Sequence, residues 1–144
     1  MLVNSILNSK DKAGIIWLAA DEAVSKAAEL MSQNRIGTII VSSSGETADG
    51  ILSERDIVRE IGKRGPSVLE SPISEIMTAN PITATGDKSA DEVLQIMTDK
   101  RFRHMPVMAD GKLVGLISIG DVVKARLAEI AMERDALEGM VMGH

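Results

Sequence analysis

The sequence predicts an α/β (α+β) fold: two β-α-β-β-α units packed sheet to sheet about a pseudo-two-fold axis, helices outside, with extra helical segments at the N- and C-termini. Three observations predict it. First, the chain repeats itself. Displaced by 66 positions, residues 21–41 lie over 87–107, with Asp21/Asp87, Met31/Met97, Arg35/Arg101 and Val41/Val107 identical. Displaced by 65, residues 50–59 lie over 115–124, with Gly50/Gly115, Ser53/Ser118, Asp56/Asp121 and Val58/Val123 identical. The one-residue change in offset falls in an expected hairpin loop, where length is free to vary. Second, Val24, Ala27, Ala28 and Met31 are spaced i, i+3, i+4, i+7, and so are Ala90, Val93, Leu94 and Met97. Each set is the buried stripe of an amphipathic helix. Third, the same Gly-apolar-apolar-Ser-x-x-Asp string closes each repeat, where a strand hands over to a helix.

The elements follow in order. Residues 1–10 form a short helix with Leu2, Val3, Ile6 and Leu7 on one face. Residues 14–19, GIIWLA, are a short buried strand and 22–34 a helix. Strands 38–42 and 48–53 make a hairpin around a Ser-Ser-Gly-Glu turn. A helix over 54–62 is ended by Gly62, then Gly65-Pro66. Residues 65–80 join the halves, with Pro66, Pro72 and a following Pro81, and 73–78 can make a helical turn. In the second unit, 81–85 is the strand and 88–100 the helix, while 104–109 and 112–118 pair across Asp110-Gly111, a strong hairpin signal. A last helix starts near Gly120 and runs to about Gly139. The resulting divisions are 1–65, 66–80 (linker), 81–131, and 132–144 (helix extension and tail). A unit of about 65 residues is marginal alone, so the two are expected to share their stability.

Composition narrows the function. The chain has 144 residues and a net charge of −5, which makes it a poor general binder of nucleic acid. Apolar residues make up 44%, enough for a packed core. With no Cys there is no disulfide, thiol nucleophile or thiolate metal site, and with two His, one of them the terminal His144, a transition-metal site is not expected. Trp17 and Phe102 are the two aromatic residues, thin for a base-stacking surface. The longest apolar run, Ile15–Ala20, is far short of the ~20 residues of a membrane helix, and no signal peptide is visible. The expected location is the cytoplasm.

The repeated motif reads Gly50-Ile51-Leu52-Ser53-Glu54-Arg55-Asp56 and Gly115-Leu116-Ile117-Ser118-Ile119-Gly120-Asp121. At a helix N-terminus, free N–H groups and the positive dipole end favour phosphate. A Ser hydroxyl there can donate to a phosphate oxygen, and an ionised Asp, acceptor only, suits the two hydroxyls of a ribose. The same atoms support a plainer reading. Ser-x-x-Asp before an apolar run is a capping box, the Ser capping the helix and the acid reaching back. The two readings coexist, because a cap can donate to a ligand that arrives.

At these residues the chain resembles a tandem pair of cystathionine β-synthase (CBS) domains, a Bateman module. The resemblance covers roughly residues 1–130. It is carried by both Gly-x-x-Ser-x-x-Asp motifs, the doubled element order, Glu75-Ile76-Met77-Thr78, and Arg103-His104-Met105-Pro106-Val107. The strings Ser-Glu-Arg-Asp-Ile-Val and Ile-Ser-Ile-Gly-Asp-Val-Val-Lys look most like small stand-alone bacterial CBS-pair proteins. The resemblance implies adenosine ligands in two clefts between the repeats: AMP, ADP, ATP, S-adenosylmethionine or NAD(H). It places the ribose-binding acid on Asp56 and Asp121, the adjoining hydroxyl on Ser53 and Ser118, and the adenine-flanking residue on Ile51 and Leu116. It places the phosphate-side segment on Arg103 and His104, with the uncharged Gly37 and Thr38 as counterparts. The adenine pocket falls on Ile82-Thr83-Ala84 and Ile16-Trp17-Leu18.

Two asymmetries make the clefts unequal: Arg55 faces Gly120 in the alignment, and Trp17 faces Thr83. The stronger site is expected at Ser53, Arg55 and Asp56 with Arg103 and His104. Met31 and Met97 are core positions, Trp17 and His104 also fit purely structural roles, and Arg59, Lys63 and Arg64 fit either a basic rim or helix-end surface charge. In the last helix Val123, Leu127, Ile130, Arg134, Leu137 and Val141 form a heptad-like seam broken by Arg134. A homodimer using this helix is expected, against a fold-back on its own domain.

The expected function is therefore a regulatory adenine-nucleotide-binding module for energy or redox sensing. It would act through a dimer or a separate, unidentified protein. The alternative is a structural or interaction module whose motifs serve only as helix caps. No catalytic residues or catalytic cofactor are expected, since no nucleophile–base pair, metal cluster or P-loop is identifiable.

Overall fold

The computed structural model describes residues 1–10 and 15–141. Gly14, the first residue of the expected strand, and the last three residues of the 132–144 tail, His144 among them, lie outside the described residues. The first unit holds β1 (Trp17–Leu18), α2 (Val24–Asn34), β2 (Thr38–Val41), β3 (Gly50–Ser53) and α3 (Glu54–Arg64). It is preceded by α1 (Val3–Ser9) and followed by β4 (Thr78–Ala79). The second unit holds β5 (Ala84–Thr85), α4 (Ala90–Lys100), β6 (His104–Ala109), β7 (Lys112–Ser118) and α5 (Ile119–Val141).

The two sheets repeat one topology. β1 runs parallel to β2, and β2 antiparallel to β3, which also pairs with β4; β5 runs parallel to β6, and β6 antiparallel to β7. Register is conserved between the halves: Thr38 faces Ser53 and His104 faces Ser118. Thr38 and His104 are equivalent in the repeat, and the Thr38 hydroxyl meets His104 Nδ1 at 3.3 Å. Equivalent groups in mutual contact mark the pseudo-two-fold axis.

The helices obey their apolar spacing. α2 buries Val24, Ala27 and Met31, and α4 buries Ala90, Val93 and Met97. Ser89 caps α4, its hydroxyl accepting from the Glu92 amide at 3.1 Å. Arg35 and Arg101 end the two helices in the left-handed conformation, at φ 54° and 58°. The conformation is unusual for a residue with a Cβ, so this identity in the repeat marks a shared helix stop.

Several expectations are corrected. Gly62 does not end α3, which continues to Arg64 and stops at Gly65, where φ is +80° and Pro66 follows. Gly62 sits in open space, where the helix tolerates it. The expected strand 81–85 shrinks to Ala84–Thr85, since Pro81 offers no N–H and Ile82 and Thr83 are exposed. The segment 66–80 is two short 3₁₀ turns and β4, and it buries Val68, Ile73 and Ile76 in the core of the first unit. The last helix is longer than expected, 23 residues.

The halves also exchange their entry segments. α1 packs on the second unit, burying Val3 and Ile6 among Val93, Met97, Met105 and Ile117. Leu7 of α1 lies where a Cβ on Gly115 would be, and Met77, just before β4, does the same at Gly50. These equivalent glycines are required by close approach, since neither has a positive φ.

Candidate functional site

One cleft gathers residues from both units. β2 and β3 bring Thr38, Ile51 and Ser53 to one wall, and the first turns of α3 add Arg55, Asp56 and Arg59. The stretch before β5 supplies Asn80, Pro81 and Ile82. The run Lys100-Arg101-Phe102-Arg103-His104, between α4 and β6, closes the far side. The cavity volume is about 740 Å³. Five cations (Arg55, Arg59, Lys100, Arg101, Arg103) face two acids, Glu54 and Asp56, in a protein of net charge −5. The positive field is concentrated where a helix N-terminus already favours an anion.

The capping reading is realised in both motifs. The Ser53 hydroxyl accepts from the Asp56 amide at 3.2 Å, and the Ser53 amide donates to Asp56 Oδ2 at 2.9 Å. The same hydroxyl donates to Asp56 Oδ2 at 3.0 Å. In the second motif Ser118 Oγ accepts from the Asp121 amide at 3.1 Å, and the Ser118 amide donates to Asp121 Oδ2 at 2.9 Å. The repeat extends to the backbone: Glu54 N donates to Gly37 O and Ile119 N to Arg103 O, both at 2.8 Å.

Each acid also carries a cation, from different places. Arg59 Nη2 donates to Asp56 Oδ1 at 2.8 Å from one turn along the same helix. Lys10 Nζ donates to Asp121 Oδ2 at 2.8 Å from beyond the end of α1. Burial pushes the Asp121 carboxyl up, but the Lys10 ammonium and the Ser118 hydrogen bonds outweigh it and hold the carboxyl below the usual range. His104 is held below its ordinary 6.5, chiefly by burial and then by Lys10, with Arg103 adding to the effect and Asp121 opposing it. At neutral pH it is an uncharged imidazole on Thr38, so the positive charge of the wall comes from its arginines and lysine.

The structure brings together Thr38, Ile51, Ser53, Arg55, Asp56, Arg103 and His104 of the residues read from the sequence. Leu116, Ser118 and Asp121 gather separately around Lys10. Thr83 is exposed and outside the cavity lining, although its neighbour Ile82 is in it. Trp17, 38% exposed, lies instead against Gly45 of the β2–β3 loop. Arg59 lines the cleft beside Asp56, while Arg64 faces Glu75 instead, at 3.4 Å. The sequence reading missed Asn80, Lys100 and Arg101. The cluster of basic residues entering β6, interrupted only by Phe102, carried the signal for the last two. Among the described residues, no helix is long and apolar enough to cross a membrane.

Comparison with known proteins agrees with this geometry. The CBS domain model matches residues 11–63 and again 73–128. The chain is 34% identical over 148 aligned positions to the mitochondrial CBS domain-containing protein CBSX3 of Arabidopsis thaliana, covering 98% of this chain and 72% of that protein. It spans only 22% of the longer CBSCBSPB1 of the same plant. The crystal structure of a CBS-domain containing protein from Agrobacterium tumefaciens superposes with a TM-score of 0.81 at 35% identity, over 88% of this chain and 99% of that one. A CBS domain protein from Pyrobaculum aerophilum, solved in complex with AMP, gives 0.74 at 25% identity, over 92% and 99%. With one match on each half, and solved relatives covered over nearly their whole length, the chain belongs to the CBS domain family as a tandem CBS pair.

Proposed function

We propose that the protein is a regulatory module that binds a phosphorylated adenosine ligand, AMP, ADP, ATP or NAD(H), in the cleft of Ser53 and Asp56. The observation that carries this reading is the convergence of a Ser-x-x-Asp helix start with five cations on one cavity. Asp56 offers its carboxylate to the ribose hydroxyls as Arg59 swings aside, which costs little because Arg59 is half exposed. Ser53 and the α3 N-terminus face the phosphates, Arg55 and Arg103 neutralise them, and Ile51 and Ile82 flank the base. This charge balance disfavours S-adenosylmethionine, whose sulfonium adds a cation to a wall of cations. The AMP held by the Pyrobaculum relative supports the adenosine assignment.

The output is a change of interface rather than chemistry, and the protein is read as a non-enzyme. α5 supports a homodimer: Leu127 and Leu137 are more than 60% exposed and share its seam with Ile130 and Val141. Ligand and assembly are coupled only if the two states bind the nucleotide differently. We place this activity in the cytoplasm, with a separate regulated protein receiving the signal.

Calorimetric titration with AMP, ATP, NADH and S-adenosylmethionine tests the reading. A phosphorylated ligand is expected to bind, and Arg103→Ala to weaken it by about 10-fold or more, the scale of one charge-assisted hydrogen bond. Arg103 is exposed, so the substitution leaves the core intact. Equal binding by wild type and Arg103→Ala, or preference for S-adenosylmethionine, would refute it.

A further inference from the structure

The second motif is already occupied by the protein itself. Lys10 Nζ donates to Asp121 Oδ2 and to the Leu116 carbonyl, both at 2.8 Å. These residues are the second-unit counterparts of Asp56 and Ile51, to which the ribose and the base are assigned in the first. An ammonium held between them neutralises the acceptor that a sugar would use. It comes from 111 residues away in sequence.

Lys10 is delivered by a docked element. Val3 and Ile6 are buried in the second core, and the Val3 and Asn4 amides donate to the carbonyls of Lys88 and Gly86 at 2.9 and 3.0 Å. Leu7 is seated on Gly115, and the Lys10 amide closes back on the Leu7 carbonyl at 3.3 Å. The first motif is held differently. Arg59 is an exposed neighbour on the same helix and leaves Asp56 by rotating its own side chain. Displacing Lys10 breaks two contacts and exposes the carbonyl of a paired strand.

We infer that Lys10 is an internal occupant of the second motif, so that the resting chain takes one adenosine ligand, at Ser53–Asp56, and the second motif opens only when Lys10 withdraws. The inference rests on the nucleotide reading above, and its test separates the two. Full-length protein and Lys10→Ala are titrated with AMP by calorimetry, and His104 is titrated in both by NMR. Wild type is expected to bind one AMP per chain and Lys10→Ala two, with the second lost again on adding Asp121→Ala. Lys10 and Arg103 face His104 with positive charge and Asp121 with negative, so removing Lys10 is expected to move the His104 titration upward. Two AMP bound by wild type, or one by Lys10→Ala, would overturn the inference. An unmoved His104 titration would overturn the placement of Lys10 whatever AMP does. AMP binding to neither protein would reject the nucleotide reading, and the one-ligand statement with it.

Discussion

Adding one methyl group at Gly50 and, separately, at Gly115 probes how the two halves are joined. A Cβ on Gly50 would lie 2.6 Å from Met77 Sδ and 3.0 Å from the Thr78 carbonyl oxygen. A Cβ on Gly115 would lie 2.7 Å from Leu7 Cδ2. Carbon contacts settle near 3.5–4.0 Å, so Leu7 Cδ2 and Met77 Sδ must each retreat by about 1 Å, and the Thr78 carbonyl oxygen by a few tenths of an ångström. Leu7 can do so by rotating the end of its side chain. At Gly50 the carbonyl is backbone, fixed by the pairing of Ile51 with Thr78, so β4 itself must move. Overpacking costs about 1–3 kcal/mol. Gly115→Ala belongs at the low end, about 1 kcal/mol, and Gly50→Ala at the high end, about 2–3 kcal/mol. At ~2–4 °C per kcal/mol for a chain of this size, melting falls by roughly 2–4 °C and 5–10 °C respectively. Thermal melts and urea titrations read both. Adding Leu7→Ala should recover part of the direct clash in Gly115→Ala, whereas Met77→Ala should recover less in Gly50→Ala, since the carbonyl remains. A Gly50→Ala protein as stable as wild type, or a Gly115→Ala protein that is the worse of the two, would refute the reasoning.

Four further outcomes follow. His104 has a folded pKa below its unfolded one, so its contribution is fully present above pH 6.5 and is lost as pH falls below that value through the folded pKa; His104→Gln should flatten that part of a plot of melting temperature against pH. Asp121 is likewise held low, so the stability from its ion pair should be present above about pH 4 and lost in more acid solution, a loss that Asp121→Asn removes from an acid titration followed by circular dichroism. Arg35→Gly should raise the melting temperature by a few degrees, because Arg35 holds φ 54° at the α2 stop at a cost of about 1 kcal/mol that glycine avoids; an unchanged or lower value would show that its side chain compensates. On the proposed homodimer, Leu127→Glu with Leu137→Glu should shift sedimentation from dimer to monomer while leaving the far-ultraviolet spectrum unchanged; a wild type that sediments as a monomer would refute the dimer proposal.

Legibility in the sequence followed the strength of the local pattern. The β6–β7 hairpin was readable to the residue, because Asp110-Gly111 pins the turn and Asp110 and Gly111 adopt the positive φ that pair favours. The ranges of α2 and α4 were readable to within two residues from their apolar spacing. β1, β4 and β5 have two residues each, too few to show any period, and so were overextended or missed. Gly62 was misread because a glycine marks a helix stop where the backbone takes a positive φ, as it does at Gly65 and not at Gly62. For the cleft, the Ser53–Asp56 motif was legible because it repeats, and Arg103 was named through the family resemblance alone. Lys10 was not, since nothing local records that a side chain will meet an acid 111 positions later. For the same reason the sequence did not show that α1 packs on the second unit.

The exchange of entry segments sets the order in which the chain can fold during synthesis. The buried residues of the first core all lie between Val24 and Ile76, so that half is complete once β4 has emerged. α1 is made earlier, but its partners run from Ala84 to Ala125. At seven residues it is well below the ~12–15 that an isolated helix needs to hold its shape in water. Val3 and Ile6 therefore stay uncovered while the first half folds, and this earlier-made segment orders after it, bringing Lys10 to its acid only when the second half is in place.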